Sequence, residues 1–288
     1  MADRPTSALP PPSRADAWRR LRRDRASVAG AGCLAALILV AVFAPAVAPY
    51  DPIKVAMRER LQRPSAAHWL GTDQFGRDIL SRIVYGTRVS LSVGLIAVGI
   101  GLGFGAPLGL VAGFSRRLDY PITAVMDVLL SFPQILLAIA IVAALGPGIF
   151  NAMIAVGIGA VPGFTRITRS STLSIRERDY VEAVRALGAS SARIIGRHIL
   201  PNAAAPLIVV STLSMAGAIL AAAILSFLGL GARPPMAEWG AMVADGRGLI
   251  AQYPHVSTFP SLAIFVVVLA FNLLGDGLRD ALDPQLGE

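Results

Sequence analysis

The chain has 288 residues, a formal charge of +8 and a pI near 10.7, yet only 15% of its residues are charged, 55% are hydrophobic and the mean hydropathy is +0.63. Soluble domains carry about 25% charged residues, so this balance excludes an ordinary soluble domain and indicates a polytopic, all-α membrane protein. The basic excess lies in the connections between apolar runs and does not interleave with aromatics, which argues against a nucleic-acid partner.

The amino-terminal stretch 1–26 is Pro-rich over Pro5 to Ser13, a composition that reads as disordered, and then basic, with Arg19, Arg20, Arg22, Arg23 and Arg25. A first apolar run covers 27–48. A signal peptide is its rival reading, but the run is long for one and ends on a poor cleavage site, Ala48-Pro49-Tyr50-Asp51-Pro52. Further spans are expected over 89–113, 122–145, 149–164, 203–230 and 258–274, each near the roughly 20 residues that cross a bilayer. The fourth is short and carries Gly157, Gly159, Pro162 and Gly163, which blurs its ends.

Arginine distribution gives the orientation. The amino terminus, the connection with Arg116 and Arg117, and the connection 165–202 are the basic ones, so both termini are expected in the cytoplasm. Loop 49–88 has seven basic and four acidic residues but is expected outside, where a long loop escapes the charge rule. Within it, Ile79 to Arg88 reads as an amphipathic turn or helix at the outer interface.

Cys33 is the sole cysteine, so there is no disulfide framework, and His68, His198 and His255 are scattered outside any metal-binding spacing. Lys54 is the sole lysine and is followed by Val55, so no GxxxxGK[ST] phosphate loop exists. No catalytic residue, metal or cofactor is expected on this chain.

Two places invite function. Asp127 lies inside the third span, where a carboxylate costs about 2.5–3.5 kcal/mol. It either faces a cavity that cargo crosses or pairs with an arginine near the span's end. Ser131, Phe132, Pro133 and Gln134 then interrupt the span, as a hinge, a pore-lining kink or simple packing. The second place is 165–202. Asp179 reads as a helix N-cap with Glu182 as its N3 partner. Gly188 ends that helix, Ser190 caps another, and Pro201 breaks it before the fifth span. A bare connection explains the caps but not the length of chain used. Docking of a soluble partner explains both. Glycines Gly94, Gly99, Gly101, Gly103, Gly105 and Gly109 are read as close-packing positions.

Glu182-Ala183-Val184-Arg185-Ala186-Leu187-Gly188, followed by Ile199-Leu200-Pro201, resembles the EAA loop of ABC importer permeases. The stretch His68 to Asp78, Leu225 to Gly231, Glu238-Trp239-Gly240 and Phe271 to Pro284 resemble the second permease of the dipeptide/oligopeptide type (DppC/OppC-like). The resemblance implies six transmembrane helices in the type I ABC importer permease (MetI-like) fold, in a bacterial inner membrane. It implies a permease core over 89–277 and a carboxyl tail over 278–288. It also implies docking onto a cytoplasmic ATPase through Asp179, Tyr180, Glu182, Ala183, Ala186, Leu187 and Gly188. The implied partners are a sibling permease, two ATP-binding subunits or domains that hold the ATP and Mg, an extracytoplasmic substrate-binding protein and a peptide substrate. Nickel chelates, glutathione or another small solute are the alternative cargo. An intramembrane enzyme and a poreless assembly subunit are the readings outside transport. Many oligopeptide members carry a glutamate where this chain has Ala222, which weakens the case for longer peptides.

Overall fold

Apolar runs in lipid must satisfy their backbone polar groups internally, which leaves the helix as the form for this composition. The computed structural model describes residues 14–282, and among them there is no β-strand beyond one isolated bridge between Thr72 and Asp78. The Pro-rich stretch 5–13 and Asp283 and Pro284 of the carboxyl tail lie outside the described residues.

In chain order the helices are α1 (Arg14–Arg23), α2 (Arg25–Val42), α3 (Ala44–Val47), α4 (Ile79–Phe114), α5 (Arg116–Leu130), α6 (Gln134–Leu145) and α7 (Ile149–Arg176). They continue as α8 (Asp179–Ala186), α9 (Ser191–Ile194), α10 (Leu200–Phe227), α11 (Trp239–Gly246) and α12 (His255–Leu282). Helices α2, α4, α7, the α9–α10 run and α12 are long and apolar enough to cross a membrane, and the α5–α6 pair makes a sixth crossing if its 91° bend belongs to one broken span.

The helices outrun the apolar runs. Helix α4 has 36 residues and is about 54 Å long at 1.5 Å per residue. Its first turns include Ile79 to Arg88, so this stretch is not a separate helix on the outer interface. Ile79, Ser81, Arg82 and Val84 are instead buried in the protein. Hydropathy ends where the side chains turn polar, whereas a helix ends where its caps are. Asp78 supplies the cap here, accepting the Ser81 amide at 2.7 Å. Likewise α7 runs twelve residues past the expected end at 164, and α12 reaches Leu282, inside the stretch expected as a tail.

Helices α4 and α7 form the central pair. Gly101, Gly105, Gly109 and Gly113 recur every fourth residue, which places them on one stripe of α4. A Cβ at Gly105 would lie 2.6 Å from the Val161 carbonyl, and one at Gly109 would lie 2.5 Å from the Thr165 carbonyl. The backbones approach at these notches, as small residues permit in membranes. Gly99 and Gly103 face open space, so the packing role expected of them is not borne out. Buried Thr165, Thr168 and Thr172 line the α7 side. Their hydroxyls bond back to the carbonyls of Val161, Phe164 and Thr168 at 2.7–2.9 Å, so no polar atom is stranded.

The stretch expected as the third crossing is broken. Pro133 cannot donate to an α-helical ladder, and the Ser131 hydroxyl takes the Val128 carbonyl at 2.7 Å. Helix α6 therefore restarts at Gln134, bent by 91° from α5.

Candidate functional site

The loop that carries α8 and α9 is built on a small apolar base. Val181, Ile194, Ile199 and Ala203 are buried with Ile175 of α7, and Phe114 at the end of α4 packs against them. This base seats α8 against the end of the bundle and turns its other face outward. Asp179, Tyr180, Glu182, Ala183, Ala186, Leu187 and Gly188 are all exposed, and Leu187 is 87% exposed. The Tyr180 ring lies 6.1 Å from that of His198, and its hydroxyl accepts the Asn202 side-chain amide at 3.5 Å.

Asp179 is not the cap. Helix α8 starts at Asp179 itself, with Arg178 in the N-cap position and no side-chain cap, so Glu182 is not an N3 partner. Only Glu177 and Arg178 separate α7 from α8, and the chain turns without room for a capping box. Both carboxylates still lie in the first turn, where the helix dipole favours them.

The helix end is as expected. Gly188 has φ of +82°, its amide donates to Arg185 O at 3.0 Å, and the Ala189 amide donates to Val184 O at 3.2 Å. These two bonds make a Schellman turn, which needs the left-handed residue that glycine supplies. The Ser190 hydroxyl accepts the Arg193 amide at 3.4 Å, opening α9. Pro201 does not break the chain: a π-turn over Ile195–Ile199 leads directly into α10, and Pro201 sits in the first turn of that helix. A proline is tolerated there because first-turn amides have no helical partner.

The end of α7 that leads into α8 is tied to α4 and α5. Arg176, at the end of α7, donates to the carbonyls of Gly113 and Phe114 at 2.9 and 3.1 Å, satisfying the last carbonyls of α4. Farther along α7, Arg169 and Arg166 reach back to α5. Arg169 donates to Asp119 at 2.7 Å, and Arg166 donates to Asp127 at 3.1 Å. Asp127 therefore pairs with an arginine. Both members of this pair are about two-thirds exposed. They lie about 15 Å along their helices from Arg116 and Arg176, beside the bend at Ser131, Phe132, Pro133 and Gln134, all of them exposed. The bend residues and the ion pair are thus brought together, while the α8 face lies at the helix ends. Arg166 and Arg169 escape the sequence reading because α7 is expected to end at Phe164. Their spacing of three on a prolonged helix is the signal that finds them.

The opposite end of the bundle is made of the other motifs. Asp73 accepts Arg77 Nε at 2.6 Å, and His68 Nδ1 lies 2.9 Å from Asp78. Buried Trp239 donates its indole N–H to Ile83 O at 3.1 Å, crossing α4 at Gly86. Glu238 caps α11 through the amides of Gly240 and Ala241, at 2.9 and 2.8 Å. Burial pushes its carboxyl above the usual range, against those two bonds.

The sequence family described as the inner membrane component of binding-protein-dependent transport systems matches residues 105–288, and the N-terminal TM domain of oligopeptide transport permease C matches 14–64. The chain belongs to the first of these families. It is 50% identical over 94% of its length, and 90% of the relative's, to a dipeptide transport system permease protein DppC of Alkalihalophilus pseudofirmus. It is 48% identical to a glutathione transport system permease protein GsiD of Pectobacterium atrosepticum, over 93% of this chain and 90% of that one. In fold it matches a chain of the inward-facing MetNI methionine ABC transporter with TM-score 0.60 at 21% identity, covering 70% of this chain and 97% of that one. An amino acid ABC transporter solved with histidines matches at TM-score 0.53 and 20% identity, over 68% and 92%. The architecture is the six-helix, MetI-like fold of type I ABC importer permeases, in a multi-span inner-membrane protein.

Proposed function

We propose that the chain forms half of the translocation pathway of an ATP-driven importer of dipeptides or short peptides. A sibling permease supplies the other half. Two cytoplasmic ATPase subunits or domains hold ATP and Mg, and an extracytoplasmic binding protein delivers cargo. This chain carries no cofactor and no catalytic residue of its own.

The observation that carries the reading is the α8 face. A helix of eight residues rests on buried Val181 and presents small Ala183 and Ala186, with bare Leu187, to the outside. A partner backbone can approach such a surface closely, and an exposed leucine gains from burial. Thrust on α8 passes into α7 through the two residues that join them. From α7 it reaches α4 through the glycine stripe, and α5 through Asp119–Arg169 and Asp127–Arg166. The bend at Ser131 to Gln134 is where α5 and α6 change their angle, and it is the hinge assigned to the pathway. Both termini and the α8–α9 loop lie on the cytoplasmic side.

Glutathione is the second cargo reading, favoured by the similarity to a glutathione permease. Ala222 supports small cargo of either kind: it is buried against Val93 and Met153, so no carboxylate stands at that point. The test is purification of the complex from its native membrane and reconstitution with its binding protein. An ATPase and a related permease are expected to co-purify, and uptake of di- and tripeptides is expected to require ATP. Absence of the ATPase would end the reading. Uptake of glutathione but no dipeptide would decide for the second cargo.

A further inference from the structure

At the end of the bundle away from α8, the start of α4, the end of α10 and helix α11 enclose a cavity of about 280 Å³. Arg77, Arg82, Asp245, Arg247, Ser226 and Gly229 are among its lining residues. The side chains of Arg77 and Arg82 are 4% and 2% exposed. Both lean on the same Asp73 carboxylate, Arg77 at 2.6 Å and Arg82 at 3.6 Å. Arg77 spends a second arm on Asp245 at 3.2 Å. Arg82 also donates to the Pro52 carbonyl at 3.3 Å. Arg247 stands exposed at the rim.

Two buried guanidiniums thus share Asp73 and Asp245, a third lines the same cavity, and burial raises the pKa of Asp245 against the pull of Arg77 and Arg82. Buried guanidiniums without full pairing are costly, and a planar fork of N–H donors is shaped for a carboxylate. A single negative charge restores the balance, and the space for it is open.

We propose that this cavity binds one carboxylate. In the importer of the preceding section, on which this assignment of sources rests, the carboxylate comes from the carboxyl terminus of the cargo or from an acidic side chain of the binding protein seated above it. A purely structural network would treat Arg247 and Asp245 alike. A carboxylate pocket does not: removing Arg247 lowers its affinity, and removing Asp245, the anion that competes for Arg77, raises it.

The direct test is amide hydrogen exchange on the complete transport complex in lipid nanodiscs, with acetate as probe and acetamide at equal ionic strength as control. Acetate is expected to slow exchange in residues 239–249, and acetamide is not. Arg247→Gln is expected to raise the acetate concentration needed at least threefold, and Asp245→Asn to lower it. Equal response to acetate and acetamide, or shifts of the same sign in both variants, overturns the proposal. The source follows from the reconstituted importer with Arg247→Gln. Weaker docking of the unloaded binding protein assigns the carboxylate to that protein. Unchanged docking with slower uptake of alanyl-alanine assigns it to cargo. If neither changes, the pocket has no part in transport and the assignment falls. Failure of the wild type to take up alanyl-alanine would defeat the peptide reading alone, since the acetate response does not depend on it.

Discussion

The two ends of the helix bundle are built on opposite principles. At the α4 amino terminus, charge is buried: Asp73, Arg77, Asp78, Arg82 and Glu238 are each at most 4% exposed. They are locked by ion pairs, caps and the Trp239 indole. At the α4 carboxyl terminus, the charge of α8 is on the surface and a few aliphatic side chains hold the unit down. A buried polar network has one satisfied arrangement and resists deformation. An apolar base under an exposed helix has few directional bonds and can shift as a unit. The first end is a fixed rim and the second a movable handle.

The contrast can be broken most severely at the rim. Arg77→Met leaves Asp73 buried beside a single distant guanidinium and Asp245 without its partner. Losing one member of a buried pair costs about 3–5 kcal/mol, so the yield of folded complex and its unfolding temperature are both expected to drop sharply. At the handle, Gly188→Arg forces a bulky residue into the left-handed region, a strain of about 1–2 kcal/mol. A Cβ added here would meet no non-neighbouring atom within 4 Å, so the side chain leaves from an open surface. Insertion and unfolding temperature are expected to stay near wild type, while uptake per ATP hydrolysed falls about tenfold or more.

The rim also has a pH signature. The folded-state pKa of Glu238 is raised, so the folded form binds its proton more tightly than the unfolded one. The stabilising effect of protonation is complete below the unfolded-state value near 4.5. It is lost as pH rises from there through the folded-state pKa. Glu238→Gln keeps one cap acceptor and cannot ionise. Its unfolding temperature is expected to vary less with pH across that window than wild type, and an unchanged profile would rule out burial as the cause. The smallest effect is reserved for Asp127→Asn. Its pair with Arg166 is two-thirds exposed, and such pairs are worth about 0–1 kcal/mol. Stability is expected to move little, so a marked loss of uptake in this variant would locate the pair in the pathway.

The sequence made the handle easier to read than the rim, for a physical reason. Gly188 and Ser190 act on amides and carbonyls within a few residues, so their spacing alone discloses the turn. The arginines of the rim answer to Asp73 and to Asp245, the latter 168 residues from Arg77, and no local pattern reveals such pairing. The same holds for Arg166 and Asp127. Helix ends were misread where polar residues continue a helix beyond lipid, as in α4 and α7. Proline was legible at Pro133, which interrupts the helix as its position in an apolar run implies, but not at Pro201, which opens a helix behind a π-turn. The EAA-like and outer motifs carried the fold class because they span separate elements in fixed order.

The handle can be examined most directly by cross-linking. Leu187→Cys, in a Cys33→Ser background, places one thiol on the exposed tip of α8 in the assembled complex. A short bifunctional reagent is expected to join it to the ATPase, with a yield that changes between nucleotide-free and ATP-bound states. A thiol that instead reacts with an impermeant reagent from outside the cell, and never joins the ATPase, would contradict the assignment of α8 as the site where force enters.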